Sequence, residues 1–226
     1  MSSREIKVYR NLMGANDEWA KKSRTLLSEK QLCMINLIGS PGSGKTALLE
    51  ATAAICKDEL RFAVLEGDVE TTKDAERMTA AGVLSYQLLT KGSGTCHLSA
   101  KMVYEAMNDL PLNELDLVVV ENVGNLICPA EFDIGDLAKI AVLSVTEGEE
   151  KPLKYSALFR EASAVVLTKI DLLPYVPFSI ETCIANIIKI NPDIPIFQIH
   201  SLKREGLEPW IAWLQQKVID AKKGSN

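Results

Sequence analysis

The feature that most constrains the fold of this chain is a glycine-rich octapeptide directly after a short apolar run. The run CMINLI ends at Ile38, and the next residues read GSPGSGKT, a complete match to G-x-x-x-x-G-K-[ST]. In that motif backbone N–H groups curl around a phosphate, the lysine reaches its oxygens, and the last hydroxyl ligates Mg²⁺ at the start of a helix. We therefore predict a nucleotide-binding turn between a strand and a helix, formed by Gly39, Ser40, Pro41, Gly42, Ser43, Gly44, Lys45 and Thr46.

Further apolar runs repeat the strand-and-helix pattern along the chain. They alternate with turns and helical periods and read CMINLI, RFAVLE, LSYQLL, LDLVVVE, KIAVLSV, SAVVLT and IPIFQI. This alternation indicates βαβ crossovers. We predict an α/β fold of the P-loop NTPase type, with a mainly parallel, doubly wound sheet and helices on both faces. Helices are expected over residues 45–56, 98–108, 179–190 and 207–222. An amphipathic helix over residues 8–29 would make residues 1–30 a helical extension and residues 31–226 the P-loop domain.

The composition of the 226-residue chain excludes several functional classes. Hydrophobic residues make up 47% and charged residues 24%, which is typical of a globular protein. A formal charge of −5, without a run of Lys or Arg, argues against nucleic acid as a partner. No apolar stretch reaches the roughly 18 residues of a membrane span, and the first residues lack an apolar signal core, so we expect a cytoplasmic protein with no membrane partner. There the cysteines stay reduced, and five at uneven spacing do not indicate a disulfide framework.

Acidic residues follow two predicted strands where phosphate chemistry would need them. LDLVVV ends at Glu121, and Gly124 then offers an N–H that can approach a γ-phosphate. RFAVLE is followed by Asp68. Each carboxylate alone also fits a solvated turn, but behind a phosphate loop it can ligate Mg²⁺ or orient water. We predict that Lys45, Asp68 and Glu121 are catalytic and that Thr46, Asp68 and Glu121 hold Mg²⁺. Further oxygen atoms are available on Thr71, Thr72 and Asp74.

The segment Thr168-Lys169-Ile170-Asp171 bears on the choice of base. It is close to the Asn-Lys-x-Asp of GTP-binding proteins, with Thr in the first place. The Asp171 carboxylate can accept hydrogen bonds from guanine N1–H and N2–H₂, which adenine does not offer, and the Lys169 stem can lie along the base. We therefore predict GTP, with weakened affinity because Thr168 offers only a hydroxyl.

Three of the sulfur and imidazole side chains form a candidate metal site. Cys96 and His97 are expected at the start of a helix, where a thiol pKa is lowered, and Cys128 lies just beyond Gly124. Such soft donors suit Zn²⁺ or Ni²⁺. The spacing alone is weak evidence, and inert buried cysteines are the alternative. Three ligands leave the site incomplete, so a second copy of the chain could complete it. We expect structural roles for Cys33, Cys56, Cys183 and His200.

These motifs together resemble the HypB family, the nickel-insertion GTPases of hydrogenase maturation. The likeness extends from about residue 35 to 213. It rests on GSPGSGKT, EGD, CHLSAKMV, ENVGNLICPAEFD, SVTEGEEKPLKY, TKIDLLPYV and WIAWL. The resemblance implies a GTPase of the signal-recognition and MinD-like class that dimerises with GTP. It further implies that Ni²⁺ passes toward a [NiFe]-hydrogenase large-subunit precursor, with a nickel-binding accessory protein as partner. In this reading Cys96, His97 and Cys128 bind Ni²⁺ or Zn²⁺ at the dimer interface, and Lys151 or Lys154 acts at the nucleotide of the partner chain.

The chain departs from the family pattern in several places. Its N-terminus is neither Cys-rich nor His-rich, so we expect no nickel storage there. Lys101 stands where the family often has His, Ser99 where it has Asp, and Thr168 where it has Asn. No arginine finger is evident, so slow intrinsic turnover is expected, as in a switch.

Other functions share some of these motifs. The urease accessory GTPase is the nearest alternative, but its metal motif is Cys-Pro-His, whereas the order here is Cys-His-Leu. A GTPase chaperone for another metallocofactor or an organic cofactor, and a P-loop ATPase or small-molecule kinase, would use the same phosphate loop. A metal-binding module without enzymatic activity would use the Cys96 cluster alone.

Overall fold

Seven strands form one parallel sheet in the computed structural model, which describes residues 3–56, 59–68, 73–90 and 96–224. All seven apolar runs form strands, which confirms that part of the prediction. The strands are β1 Cys33–Gly39, β2 Phe62–Asp68, β3 Leu84–Leu89, β4 Leu117–Glu121, β5 Ala138–Ser144, β6 Ala164–Thr168 and β7 Ile196–Ile199. Every residue of β1, β4 and β6 is buried, as expected for parallel strands covered on both faces.

The order of the strands places the ligand sites. It reads β3-β2-β4-β1-β5-β6-β7, so the chain crosses from one side of β1 to the other between β4 and β5. In open parallel sheets ligands bind beyond the carboxyl ends of the strands at such a crossing. The register brings the ends of β1, β2 and β4 together, because Glu121 pairs with both Leu37 and Glu66.

Nine α-helices lie in the described part of the chain. They are α1 Ser3–Glu29, α2 Lys45–Cys56, α3 Lys73–Ala80, α4 Ala100–Asn108, α5 Cys128–Glu131, α6 Lys151–Lys154, α7 Ser156–Glu161, α8 Ile180–Ile190 and α9 Leu207–Lys223. The predicted helices all form, but α4 begins at Ala100 rather than at Leu98. Ser99 is its N-cap, and its side chain accepts a hydrogen bond from the N–H of Met102.

The helices cover both faces of the sheet, as predicted. On one face α2 and α9 pack over β1, and the fully buried Trp210 donates from Nε1 to Thr52 Oγ1 at 3.0 Å. On the other face α1 and α4 pack together, with the rings of Trp19 and Tyr104 5.3 Å apart. α7 and α8 extend that cover to β5 and β6.

The first helix, α1, is part of this helical layer. α1 contains the predicted helix, and its side chains Ala20 and Leu27 are buried. The division into an extension over residues 1–30 and a domain over residues 31–226 stays a prediction. Within the described ranges, no helix is both long and apolar enough to cross a membrane.

Candidate functional site

The phosphate loop connects the end of β1 to the start of α2, as predicted. Gly42 and Gly44 have φ values of +73° and +92°, a backbone region that side chains other than glycine rarely adopt. These residues turn the chain so that the buried Lys45 points back into the loop. Its Nζ lies 3.3 Å from the Gly39 carbonyl and 3.4 Å from the Ser40 carbonyl. The amino group is thus held where a phosphate oxygen would need a cation.

Two buried carboxyl groups lie under this loop. Thr46 Oγ1 donates to Glu121 Oε1 at 3.0 Å, and Lys45 Nζ is 3.9 Å from the same oxygen. Glu66 is only 1% exposed and stands beside Glu121 in the register of β2 and β4. Burial, and next the charge of Glu121, raises the pKa of Glu66. Burial also raises the pKa of Glu121, although Lys45 opposes this. We infer that Glu66 holds a proton at neutral pH while Glu121 stays the more acidic of the two.

The donor atoms here fit a Mg²⁺ ion. Asp68, Thr46 and Glu121 line one cleft of about 410 Å³. Among the described residues Glu121 Oε2 is buried without a hydrogen-bond partner. Hydroxyl and carboxylate oxygens are the hard donors that Mg²⁺ prefers, together with phosphate oxygens of its nucleotide. The set predicted from the sequence is therefore chemically suitable and lies in one place. Of the additional oxygen donors, Asp74 lines the cleft, and Thr71 and Thr72 lie outside the described residues.

Two further residues complete the phosphate end of the cleft. Gly124 approaches the loop so closely that a Cβ there would lie 2.6 Å from Pro41 Cγ. Arg77, which the sequence analysis missed, also lines the cleft, and it is bound by Glu50 at 2.6 Å and Asp74 at 3.2 Å. The spacing of Asp74 and Arg77 on one helix face, soon after Asp68, is the signal that would have identified it.

The segment predicted to read the base adjoins the phosphate loop. Lys169 has a left-handed φ of +58°, and its Nζ donates to the Gly42 carbonyl at 2.6 Å. Thr168 is buried, and its hydroxyl donates to the Ser43 carbonyl at 2.5 Å. The Thr168 hydroxyl is therefore directed at the phosphate loop. The weaker guanine affinity expected from Thr168 stays a prediction.

His200, for which only a structural role was expected, lies next to the carboxylate of Asp171 in this segment. It is 6% exposed, and its Nδ1 lies 3.3 Å from Asp171 Oδ1. The alignment of the two groups falls short of a hydrogen bond, and within the described residues Nδ1 has no hydrogen-bond partner. His200 is held in place by two backbone hydrogen bonds with Glu205, at 3.1 and 3.2 Å. A buried imidazole therefore stands behind the carboxylate predicted to bind guanine.

Cys96, His97 and Cys128 come together from two segments of the chain. Their ligand atoms all lie within 4.8 Å of one another. The Cys96 thiol donates to Cys128 Sγ at 2.6 Å. The His97 ring stacks on Phe132 with the centroids 3.8 Å apart, and burial lowers the pKa of His97, so its nitrogen lone pair is available at neutral pH. Two sulfurs and an imidazole so arranged can ligate Zn²⁺ or Ni²⁺.

The expectation that a helix start lowers the thiol pKa at this cluster was wrong. Cys96 precedes the N-cap Ser99 by three residues and does not lie at a helix start. Cys128 opens a helix of only four residues, and its pKa is raised, chiefly by the hydrogen bond with the Cys96 thiol. A metal would therefore have to displace thiol protons on binding. The other cysteines are buried, as expected, and burial raises their pKa to about 12, 11 and 12 for Cys33, Cys56 and Cys183.

The lysines singled out by the family resemblance lie in different surroundings. Lys151 Nζ is 3.0 Å from Ser40 Oγ in the phosphate loop of its own chain and 2.7 Å from Glu147. Lys154 is exposed and lies 3.7 Å from Glu150. Lys101 is also exposed and points toward Glu105, at 3.6 Å. Of these three lysines, Lys151 is therefore the one that contacts the phosphate loop within one chain.

Comparison with known proteins places this geometry in a family. The model of the CobW/HypB/UreG nucleotide-binding domain matches residues 33–198. The chain is 45% identical over 212 residues to the hydrogenase maturation factor HypB of Escherichia coli K12, covering 94% of this chain and 72% of that protein. It is 35% identical to the hydrogenase/urease maturation factor HypB of Helicobacter hepaticus, covering 96% and 90% of the two chains.

A solved structure shows the same fold. The crystal structure of HypB from Helicobacter pylori in complex with nickel superposes with a TM-score of 0.85 and 34% identity, covering 91% of this chain and 96% of that one. The phosphate loop, the all-parallel sheet and these likenesses agree, and the chain therefore belongs to the HypB family of hydrogenase maturation factors.

Proposed function

We propose that this protein is a GTP-hydrolysing metallochaperone that binds Ni²⁺ or Zn²⁺ and assists nickel insertion into [NiFe]-hydrogenase. Nucleotide hydrolysis as such follows from the P-loop fold and the family. The observation that carries the proposal is the cluster of Cys96, His97 and Cys128 within 4.8 Å, in a chain that also has a complete phosphate loop. A single short segment, residues 121–128, leads from the carboxylate under that loop to one of the thiols.

The phosphate end of the cleft supports catalysis by electrostatic stabilisation and positioning. Lys45 and the loop N–H groups would stabilise the charge that develops on the phosphoryl oxygens. Mg²⁺, bound through Thr46, Asp68 and Glu121, would neutralise phosphate charge when present. Asp68 or Glu121 would orient the attacking water. Arg77 is already paired with Glu50 and Asp74, so the slow intrinsic turnover expected of a switch stays part of the proposal.

The choice of GTP rests on Asp171. Its carboxylate can accept two hydrogen bonds from guanine, and the contacts of Thr168 and Lys169 with the phosphate loop hold it in a fixed relation to the phosphates. A P-loop ATPase or kinase is the competing assignment. Competition of ATP and GTP for a fluorescent nucleotide decides between them, and a preference for ATP would contradict our assignment.

The metal end supports a site that needs a second chain. Two thiols and one imidazole leave a tetrahedral or square-planar ion without its fourth ligand. We propose that a GTP-dependent homodimer supplies the missing ligand. We further propose that the metal passes between a nickel-binding accessory protein and the hydrogenase large-subunit precursor in the cytoplasm. The nickel in the Helicobacter pylori relative supports nickel as the cargo. The name of the Helicobacter hepaticus relative supports a second candidate client, urease.

One experiment tests the central assignment. Metal content and molecular mass are measured with GDP and with a non-hydrolysable GTP analogue. The parent is compared with Lys45→Ala and with a triple Ala variant of Cys96, His97 and Cys128. We expect the triple variant to lose the metal and keep phosphate release. We expect Lys45→Ala to lose phosphate release and, with it, the part of metal binding that depends on the GTP-bound dimer. A parent that is a metal-free monomer under every condition would contradict the shared site. A parent that binds metal but releases no phosphate would instead be a binding module.

A further inference from the structure

Two of the metal ligands have no direct covalent path to the phosphate site. Residues 121–128 connect Glu121 to Cys128, but Cys96 and His97 precede α4 and belong to another part of the chain. Any effect of the nucleotide on these two ligands has to pass through non-covalent contacts. Asparagine side chains of the segment over residues 121–128 provide such contacts at two points.

The first contact is made by Asn122, the residue after Glu121. Its Oδ1 accepts hydrogen bonds from the N–H of Leu98 at 3.3 Å and of Val123 at 3.0 Å. Its Nδ2 donates to Asn36 Oδ1 on β1 at 3.1 Å. Asn122 is 1% exposed, so these bonds have no competition from water. Because Leu98 directly follows His97, the amide fixes the main chain of the ligand segment to the end of β4 and to the middle of β1.

The second contact is made by Asn125. Its Nδ2 donates to the carbonyl of Cys96 at 3.4 Å, and its Oδ1 accepts from the N–H of Ile127 at 2.9 Å. Ile127 immediately precedes Cys128. One side-chain amide therefore holds the main chain at both thiol ligands.

Leu98 also lies against the floor of the phosphate site. It is fully buried, and a Cβ on Gly67 would lie 2.9 Å from Leu98 Cδ1 and 3.1 Å from the carbonyl of Glu121. The residue after the metal ligands is thus packed against the ends of β2 and β4, where Asp68 and Glu121 are predicted to hold Mg²⁺. Metal–ligand distances tolerate only about 0.2 Å of error, so a small shift at this floor is enough to change metal affinity.

We propose that Asn122 and Asn125 are positioning residues that couple the two sites, moving Cys96 and His97 with the phosphate-sensing segment when the nucleotide changes. The proposal rests on the proposed function, in which nucleotide and Ni²⁺ bind to the same chain. Coupling of this kind is reciprocal, so bound Ni²⁺ changes nucleotide affinity by the same factor.

The test measures a ratio rather than a single affinity. The Kd for Ni²⁺ is determined by competition with a chromophoric chelator, once with Mg·GDP and once with a Mg-bound non-hydrolysable GTP analogue. The ratio of the two values is compared among the parent, Asn122→Ala, Asn125→Ala and Asn191→Ala. Asn191 is a matched control, because its amide donates to the carbonyls of Phe159, Arg160 and Ala162, away from both sites.

We expect the parent ratio to differ from one by at least about fivefold. In Asn125→Ala the ratio of the two Kd values should lie at least about threefold closer to one than in the parent, and Asn191→Ala should keep the parent ratio. A merely structural role would weaken metal binding equally with both nucleotides and leave the ratio intact. Asn125 is only partly buried, so its variant remains informative if Asn122→Ala fails to fold. A parent ratio preserved in Asn125→Ala would overturn the proposal. A parent ratio of one would also overturn the coupling proposal. If Ni²⁺ still binds to the Cys and His ligands in that case, the assignment of the metal site itself stands.

Discussion

Replacing Asp171 with Asn tests base recognition with little risk to the fold. The segment that carries Asp171 is fixed by its neighbours, through Thr168 to Ser43 and Lys169 to Gly42. Asp171 is partly buried, with 32% of its side chain exposed. The substitution therefore changes hydrogen-bonding chemistry at one position without removing a contact that holds the loop.

The size of the effect follows from the groups that face guanine. In the proposed guanine complex the carboxylate accepts from N1–H and N2–H₂, whereas an asparagine accepts only one of these hydrogen bonds and directs its own NH₂ at the other donor. Loss of one charge-assisted hydrogen bond, plus a donor left unpaired, costs about 2–4 kcal/mol in a partly screened site. We therefore expect GDP and GTP to bind roughly 30- to 1000-fold more weakly. Xanthine carries an oxygen in place of N2–H₂, which accepts a hydrogen bond from the asparagine amide, so affinity for XDP should rise.

Competition against a fluorescent guanine nucleotide in the parent, and against a fluorescent xanthine nucleotide in D171N, measures both changes. ADP serves as the reference ligand in each assay. Asp193→Asn is the matched control, because Asp193 is exposed before β7 and should leave the preference unaltered. If the ratio of GDP to XDP affinity moves by less than about threefold, Asp171 does not read the base and the assignment of GTP fails.

Other predictions follow from buried groups. The imidazole lies 3.3 Å from Asp171 Oδ1 and can orient that carboxylate through its dipole. His200→Ala should therefore weaken GDP binding by about three- to tenfold, and His200→Asn, whose amide dipole can take the same place, should recover most of it; equal affinities in the two variants would leave His200 a packing residue. Thr52→Val leaves the buried Trp210 N–H without its acceptor, so calorimetry should show a Tm lower by about 3–10 °C, while Thr79→Val, at an exposed helix position, should change it little. Burial raises the pKa of the Glu66 carboxyl in the folded state, so its contribution to stability is fully present below pH 4.5 and is lost as the pH rises toward the folded pKa. Glu66→Gln removes this pH-dependent contribution. The Tm of this variant relative to the parent should therefore increase from pH 5 to pH 8, and a constant difference would contradict proton retention by Glu66.

The strands and the phosphate loop were predictable because local sequence determines them. Apolar runs ending in glycine or a carboxylate are sufficient to identify β1, β2 and β4, and the predicted bounds of α2 agree with the structure. The short helices α3, α5, α6 and α7 have too few residues for a hydrophobic period, and they form through tertiary contacts. The start of α4 was misplaced by two residues because the capping side chain of Ser99 outweighs the apolar Leu98 as a start signal.

Long-range relations explain what the sequence analysis missed. Cys96 and Cys128 are separated by 32 positions, and only the adjacency of the segments after β3 and β4 brings their sulfurs together. The contact of His200 with Asp171 likewise depends on β6 and β7 being neighbours in the sheet. No local sequence pattern marks such pairs. The sequence therefore indicates which side chains are chemically suitable, but not which of them contact each other in the fold.

The distribution of rigidity in the fold indicates where a nucleotide-driven change can occur. β1, β4 and β6 are buried along their whole length, so moving them would disrupt ladders and core packing on both sides. The segment over residues 122–134 is different, because its only helix is the four-residue α5. Its contacts with the segment of Cys96 and His97 are side-chain amides, one thiol pair and the stacked rings of Phe132 and His97. Few backbone hydrogen bonds must break for such a segment to shift, so we expect a nucleotide-driven change to occur there rather than in the strands. The phosphate loop, the predicted magnesium ligands and the proposed metal ligands all meet this segment at the carboxyl edge of the sheet. A change that starts at the γ-phosphate therefore has a short path to the metal, and the rest of the sheet can remain fixed while it occurs.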